Sequence, residues 1–181
     1  NYGKDIPLVG AGRVEIDLHL ALVEGYYGIV MPTAPLLDRL VTYSIAGRSI
    51  PALDPLGRLM HACIHTASST PTRLGSAADV VQIANSHAIE ANDLVSLAGR
   101  LAVGGLVARG VVRAWDAFGA HDTELSQWAR TYRAVGAEKG ALDALDTATG
   151  ESRWRSGLSA LPASKWFGYL LPLVGPSRGH L

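Results

Sequence analysis

Glu15, Asp17 and His19 alternate with apolar residues in Val14-Glu15-Ile16-Asp17-Leu18-His19-Leu20. A repeat of two places side chains alternately on the two faces of a strand. Val14, Ile16, Leu18 and Leu20 are therefore expected to face a core, and Glu15, Asp17 and His19 to line up on the opposite face. Carboxylates on a rigid strand suit Mg²⁺, which takes oxygen ligands and commonly also bridges substrate phosphates. The bland alternative is a solvated outer face, usual for antiparallel strands. A second constellation is His61 and His65, four residues apart and so on one face if the segment is helical. That spacing can chelate zinc, but Ala62 stands where a His-Glu-x-x-His protease carries its glutamate. A structural or substrate-lining role for His61 and His65 is the expectation. Cys63 falls on the apolar side as a packing residue, and Asp79 is placed to pair with Arg73 or to cap a neighbouring element. Arg100, Arg109, Arg113, Arg130 and Arg133 form either a solvated face with scattered ion pairs or a local patch for a polyanion.

The elements that must hold these residues change character at Asp54. Before it, residues 1–13 are rich in Gly and Pro and read as a loop, followed by the alternating strand. Gly25, Gly28, Pro32 and Pro35 mark a connection with a short helix at 35–40. Two short apolar runs over 41–53, set around Gly47-Arg48, form a hairpin. From Asp54 the period becomes 3.6. Asp54 is an N-cap and Pro55 occupies the first helical position, where its missing N–H does no harm. Leu56, Leu59, Met60, Cys63, Ile64 and Ala67 make the buried stripe. A second helix, 74–87, turns Ala78, Val81 and Ala84 inward. A long third helix spans 92–118, capped by Asn92, with Gly99, Gly104, Gly105 and Gly110 allowing another helix to come close. Asp122 caps a fourth, with Leu125, Trp128, Ala129 and Tyr132 inward, ending near Gly136 before a weaker helical stretch at 137–148.

Composition limits what such a chain can be. With 181 residues, 48% hydrophobic and 18% charged, it is long enough for one core and too short for two large domains. Sixteen basic residues balance sixteen acidic ones, so no global charge draws the protein to nucleic acid or an acidic membrane. One cysteine excludes an internal disulfide and a multi-cysteine zinc site, and fits a cytoplasmic setting. Arg100, Arg109 and Arg113 interrupt the longest apolar stretch, leaving nothing near the roughly 18 residues of a membrane span. No glycine-rich phosphate loop, Rossmann fingerprint or Gly-x-Ser-x-Gly elbow occurs.

The order of segments is more specific than any one of them. Val14-Glu15-Ile16-Asp17-Leu18-His19, then Ile45-Ala46-Gly47-Arg48-Ser49-Ile50, Leu53-Asp54-Pro55-Leu56, Leu59-Met60-His61-Ala62-Cys63-Ile64-His65, Arg73-Leu74 and Ala78-Asp79-Val80 follow one another. Over residues 8–118 this resembles the uncharacterised nucleotidyltransferase family of the DNA polymerase beta superfamily. The resemblance implies that Asp17 is the third catalytic carboxylate and a metal ligand, with Glu15 a weaker candidate ligand. It also implies His19, His61 and His65 near the substrate, Mg²⁺ as cofactor and a nucleoside triphosphate as donor. The Gly-Ser turn and Asp-x-Asp pair that precede the third carboxylate in that superfamily are not found before Asp17. Because the chain starts at Asn1 rather than Met, the expectation is a longer protein carrying those motifs upstream. The alternative is a degenerate relative acting as a non-catalytic binding or interaction module.

The expected fold is α+β, a partial mixed sheet with a hairpin followed by a mainly helical region. Residues 1–53 are assigned to the sheet part, 54–148 to the helices and 149–181 to an irregular aromatic tail. The expected reaction is transfer of a nucleoside monophosphate from a nucleoside triphosphate to an acceptor hydroxyl on a small molecule, a tRNA or a protein.

Overall fold

The computed structural model describes residues 5–10, 12, 15–19, 22–23, 25–120 and 122–147. The protein is α+β. By its internal contacts the chain divides into two compact units, residues 31–135 and the residues before and after them.

In the flanking unit, β1 (Asp5–Val9) pairs antiparallel with β2 (Glu15–His19), so the segment expected as a loop contains a strand. Pro7 obscures it in the sequence; as a member of a two-stranded ribbon it need not donate to a second neighbour. Ile16 is 56% exposed, which overturns its expected place in a core. A two-stranded ribbon has too little surface to bury a face by itself. The same unit contains α1 (Gly25–Val30), where only a connection was expected, and α8 (Gly136–Thr147). The expected irregular tail lies outside the described residues.

The unit of residues 31–135 begins with α2 (Ala34–Leu37) and a hairpin of β3 (Leu40–Ile45) and β4 (Arg48–Leu53). Ala46 and Gly47 form its two-residue turn, both at positive φ (50° and 75°), the backbone that matches the twist of flanking strands. The two hairpins are separate antiparallel sheets, not parts of one mixed sheet.

Five helices follow: α3 (Pro55–Ser68), α4 (Leu74–Ser86), α5 (Ala91–Arg100), α6 (Gly104–Phe118) and α7 (Glu124–Thr131). Leu56, Leu59, Met60, Cys63, Ile64 and Ala67 of α3 are all buried, as their 3.6-residue spacing predicts. They share the core with Val80, Leu94, Leu97, Leu106, Val107 and Val111. In α4 the buried positions are Ser76, Ala77 and Val80; the expected Ala78, Val81 and Ala84 are only partly covered. The expected long helix is two, because α5 ends in a Schellman motif. Val103 N–H donates to the Ala98 carbonyl (3.0 Å) and Ala102 N–H to that of Gly99 (3.1 Å), with Ala102 at φ 55°.

Close helix approach does depend on the glycines of α6. A Cβ on Gly110 would collide with the Cys63 carbonyl of α3, and one on Gly104 with the Tyr132 ring. In α7 the N-cap is Thr123 rather than Asp122: Thr123 Oγ1 accepts from Ser126 N–H and Ser126 Oγ from Thr123 N–H.

Candidate functional site

Helix α3 is fixed at both ends. At its start Asp54 accepts from Gly57 N–H at 2.7 Å, and its other oxygen receives Arg39 Nη2 at 2.6 Å. At its end Ser68 Oγ and Ser69 Oγ donate to the carbonyls of Ile64 and His65. Arg113 Nη1, reaching over from α6, donates to those of Thr66, Ala67 and Ser69 at 3.3, 2.9 and 2.8 Å. The carbonyls that an α-helix leaves orphaned thus meet hydrogen-bond donors, and the guanidinium sits at the negative end of the helix dipole. Burial holds the Arg113 guanidinium below its ordinary pKa.

With the apolar stripe turned into the core, Arg58, His61 and His65 come out on the far side of α3, at positions i, i+3 and i+7. They face Ser76, Asp79 and Ile83 of α4 across a groove of about 350 Å³, with Ala62 in its lining. The His61 and His65 rings have centroids 6.1 Å apart and planes inclined by 32°. Sequence spacing therefore identified a real shared face for the two histidines.

Arg58 extends that face and was not singled out as a site residue in the sequence, although its spacing of three and seven from the histidines would have placed it there. Its Nη2 lies 3.2 Å from His87 Nε2, and its guanidinium carbon 5.4 Å from the centroid of the Tyr43 ring. Arginine has donors only, so His87 Nε2 must be the unprotonated acceptor, with the proton on Nδ1. Arg58 Nε is buried without a hydrogen-bond partner. Among the described residues no carboxylate is paired with Arg58. Asp79, exposed on the opposite wall, makes no hydrogen bond or ion pair among the described residues, and the expected pairing with Arg73 is not formed. Ser76 is buried, its hydroxyl donating to the Arg73 carbonyl at 2.9 Å.

Among the described residues no group of three His, Cys, Asp or Glu is arranged to hold a metal ion, so His61 and His65 have no third ligand of those types. Cys63 is wholly buried and burial pushes its thiol pKa up, the opposite of a reactive cysteine. Three of the later arginines have partners within their own unit. Arg113 caps α3, Arg130 Nη2 pairs with Asp116 at 2.7 Å, and Arg133 Nη1 donates to the Arg130 and Tyr132 carbonyls.

On β2, Glu15, Asp17 and His19 share one parity and lie opposite Val9, Pro7 and Asp5 of β1. Glu15 is exposed. The side chains of Asp17, Leu18 and His19 lie outside the described set. Among the described residues no helix is long and apolar enough to cross a membrane.

Comparison with known protein families, with curated proteins and with solved structures finds no match to this chain.

Proposed function

We propose that this chain is part of a metal-dependent nucleotidyltransferase that moves a nucleoside monophosphate from a nucleoside triphosphate to an acceptor hydroxyl, breaking the α–β phosphoanhydride bond and releasing pyrophosphate. The observation that supports the reading is the strand β2, on which Glu15, Asp17 and His19 share one parity. It precedes a hairpin and an Asp54-capped helix in the order of the resemblance.

Glu15 and Asp17 are oxygen donors, the ligand chemistry that Mg²⁺ requires, so the residues present suit the ion as part of a larger ligand set. Bound Mg²⁺ would supply charge compensation at the transferred phosphoryl group. Asp17 would help hold the ion and take the proton of the attacking hydroxyl, with Glu15 as a subsidiary ligand and His19 beside the substrate.

The test is transfer from labelled triphosphate with Mg²⁺ by the full-length protein and its Asp17→Asn variant, with circular dichroism as the folding control. Transfer by the wild type and a loss of about a hundredfold or more in the variant is expected, because an amide neither carries the charge nor accepts the proton. Equal transfer by both would remove Asp17 from the mechanism. Transfer by neither would overturn the enzymatic reading.

A second reading has its own support. The groove between α3 and α4, with Arg58, the two histidines, Ser76 and Asp79 beside Ala62 and Ile83, has the mixed polar and apolar lining of a ligand site, which supports a binding module.

A further inference from the structure

We propose that the α3–α4 groove binds a small phosphate ester with a hydroxylated body, a sugar phosphate or mononucleotide, taking the phosphate on Arg58, His61 and His65 and the hydroxyls on Asp79. The proposal goes beyond nucleotidyl transfer and rests on the groove alone.

Arg58 is the anchor of the argument. Its one hydrogen bond among the described residues is to a neutral imidazole nitrogen, and its guanidinium lies over the face of Tyr43. Both contacts orient the guanidinium without neutralising it. The other arginines on this unit for which contacts are described are spent on carboxylates or helix carbonyls, as with Arg39, Arg113 and Arg130. An oriented guanidinium lacking a carboxylate, at the wall of a groove that also holds two imidazoles, is suited to a multi-oxygen anion.

The donors are spread along the helix: residues 58 and 65 are separated by about 10 Å of axial rise at 1.5 Å per residue. Arg58, His61 and His65 nevertheless line one groove, so they approach an anion in it from different directions. The two oxygens of a carboxylate lie in one plane, whereas the three terminal oxygens of a phosphate ester are arranged tetrahedrally and accept from donors on several sides.

The opposite wall selects the rest of the molecule. Asp79 carries a negative charge that would repel a bare phosphate or a polyphosphate chain placed against it. A carboxylate is an acceptor of two hydroxyl donors, as a ring diol offers. Ile83 adds an apolar surface for a ring face. The groove volume of about 350 Å³ lies at the lower end of the range for small-molecule sites, in keeping with a sugar phosphate or a mononucleotide.

Calorimetric titration of the full chain with AMP, glucose 6-phosphate, inorganic phosphate and adenosine tests this. Binding of AMP or glucose 6-phosphate is expected, the better of the two telling whether a nucleotide or a sugar phosphate is preferred, with adenosine inert. His65→Gln, at an exposed position, and Arg58→Gln should each weaken binding of the ester, Arg58→Gln by about tenfold or more. Asp79→Asn should weaken the ester but not inorganic phosphate. No binding of either ester at millimolar concentration, adenosine binding as well as AMP, or unchanged affinity in His65→Gln and Asp79→Asn would each overturn the proposal. Because Arg58 also touches His87 and Tyr43, the His65 and Asp79 variants keep the test decisive should Arg58→Gln not fold. Binding that persists in a protein without transfer activity would support this site and count only against nucleotidyl transfer.

Discussion

Every residue of the β3–β4 hairpin from Leu40 to Pro51 is exposed, whereas nine of the fourteen residues of α3, which begins just after it, are buried. The hairpin contains apolar side chains of its own, with Tyr43 37%, Ile50 41% and Ile45 58% exposed. Its register puts Val41, Tyr43 and Ile45 on one face with Ala52 and Ile50 of β4. Local hydrophobicity is thus similar in the two segments and their fates differ. The difference is made by what other elements bring to them. Helix α3 has α4, α5 and α6 around its stripe and donors at both ends, while the hairpin is held mainly by its own ladder and turn. Groove residues stand on the rigid element of the pair, which is where a binding geometry is kept.

The sharpest way to break this contrast is at Gly110. A methyl group there meets the backbone of Cys63, which cannot rotate away as a side chain would, so α3 and α6 must separate. Gly110→Ala should cost about 3 kcal/mol, the upper range for an overpacked core, despite the higher helix propensity of alanine. Urea unfolding of wild type and variant measures it. A neutral or stabilised variant would show that the α3–α6 contact does not fix α3.

Arg113 sharpens the comparison by separating packing from capping. Arg113→Met keeps much of the stem and removes the donors to the carbonyls of Thr66, Ala67 and Ser69. The loss should be about 2 kcal/mol, since these are charge-assisted bonds at the end of a helix dipole. Hydrogen exchange should quicken first in the last turn of α3. A change below about 0.5 kcal/mol would place the stability of α3 in its apolar stripe alone.

What the sequence revealed follows the range of the interactions involved. Asp54 caps α3 by accepting from Gly57 N–H three residues on, and Pro55 presets the first helical φ, so the start of α3 was legible, as was its stripe. Ala102 was not: alanine favours helix, and only the tertiary burial of Val103 and its neighbours compensates for a left-handed alanine at the end of α5. The inward face of α4 was misjudged because Ser76 is buried with its hydroxyl on the Arg73 carbonyl, a polar residue behaving as an apolar one. For the candidate site, the pairing of His61 with His65 was written in their spacing. The place of Arg58 on that face was equally written in its spacing, but its contacts with His87 and Tyr43, 29 residues later and 15 earlier, were not, because spacing along one helix does not report them.

The smallest expected effect is on the hairpin itself. Ile45 ends β3, pairs with Arg48 across the turn and leaves more than half its surface in water. Replacing it with threonine keeps the β-branched shape that a strand favours and removes apolar area that the fold does not cover. Ile45→Thr should therefore change stability by no more than about 0.5 kcal/mol, within the ordinary range for surface positions. The measurement is the same urea unfolding used for Gly110→Ala. A loss of about 2 kcal/mol or more would mean that Ile45 is covered in solution, since only burial gives an aliphatic side chain that worth. The hairpin would then be a packed element like α3, and the contrast between the two segments would fail at its exposed side.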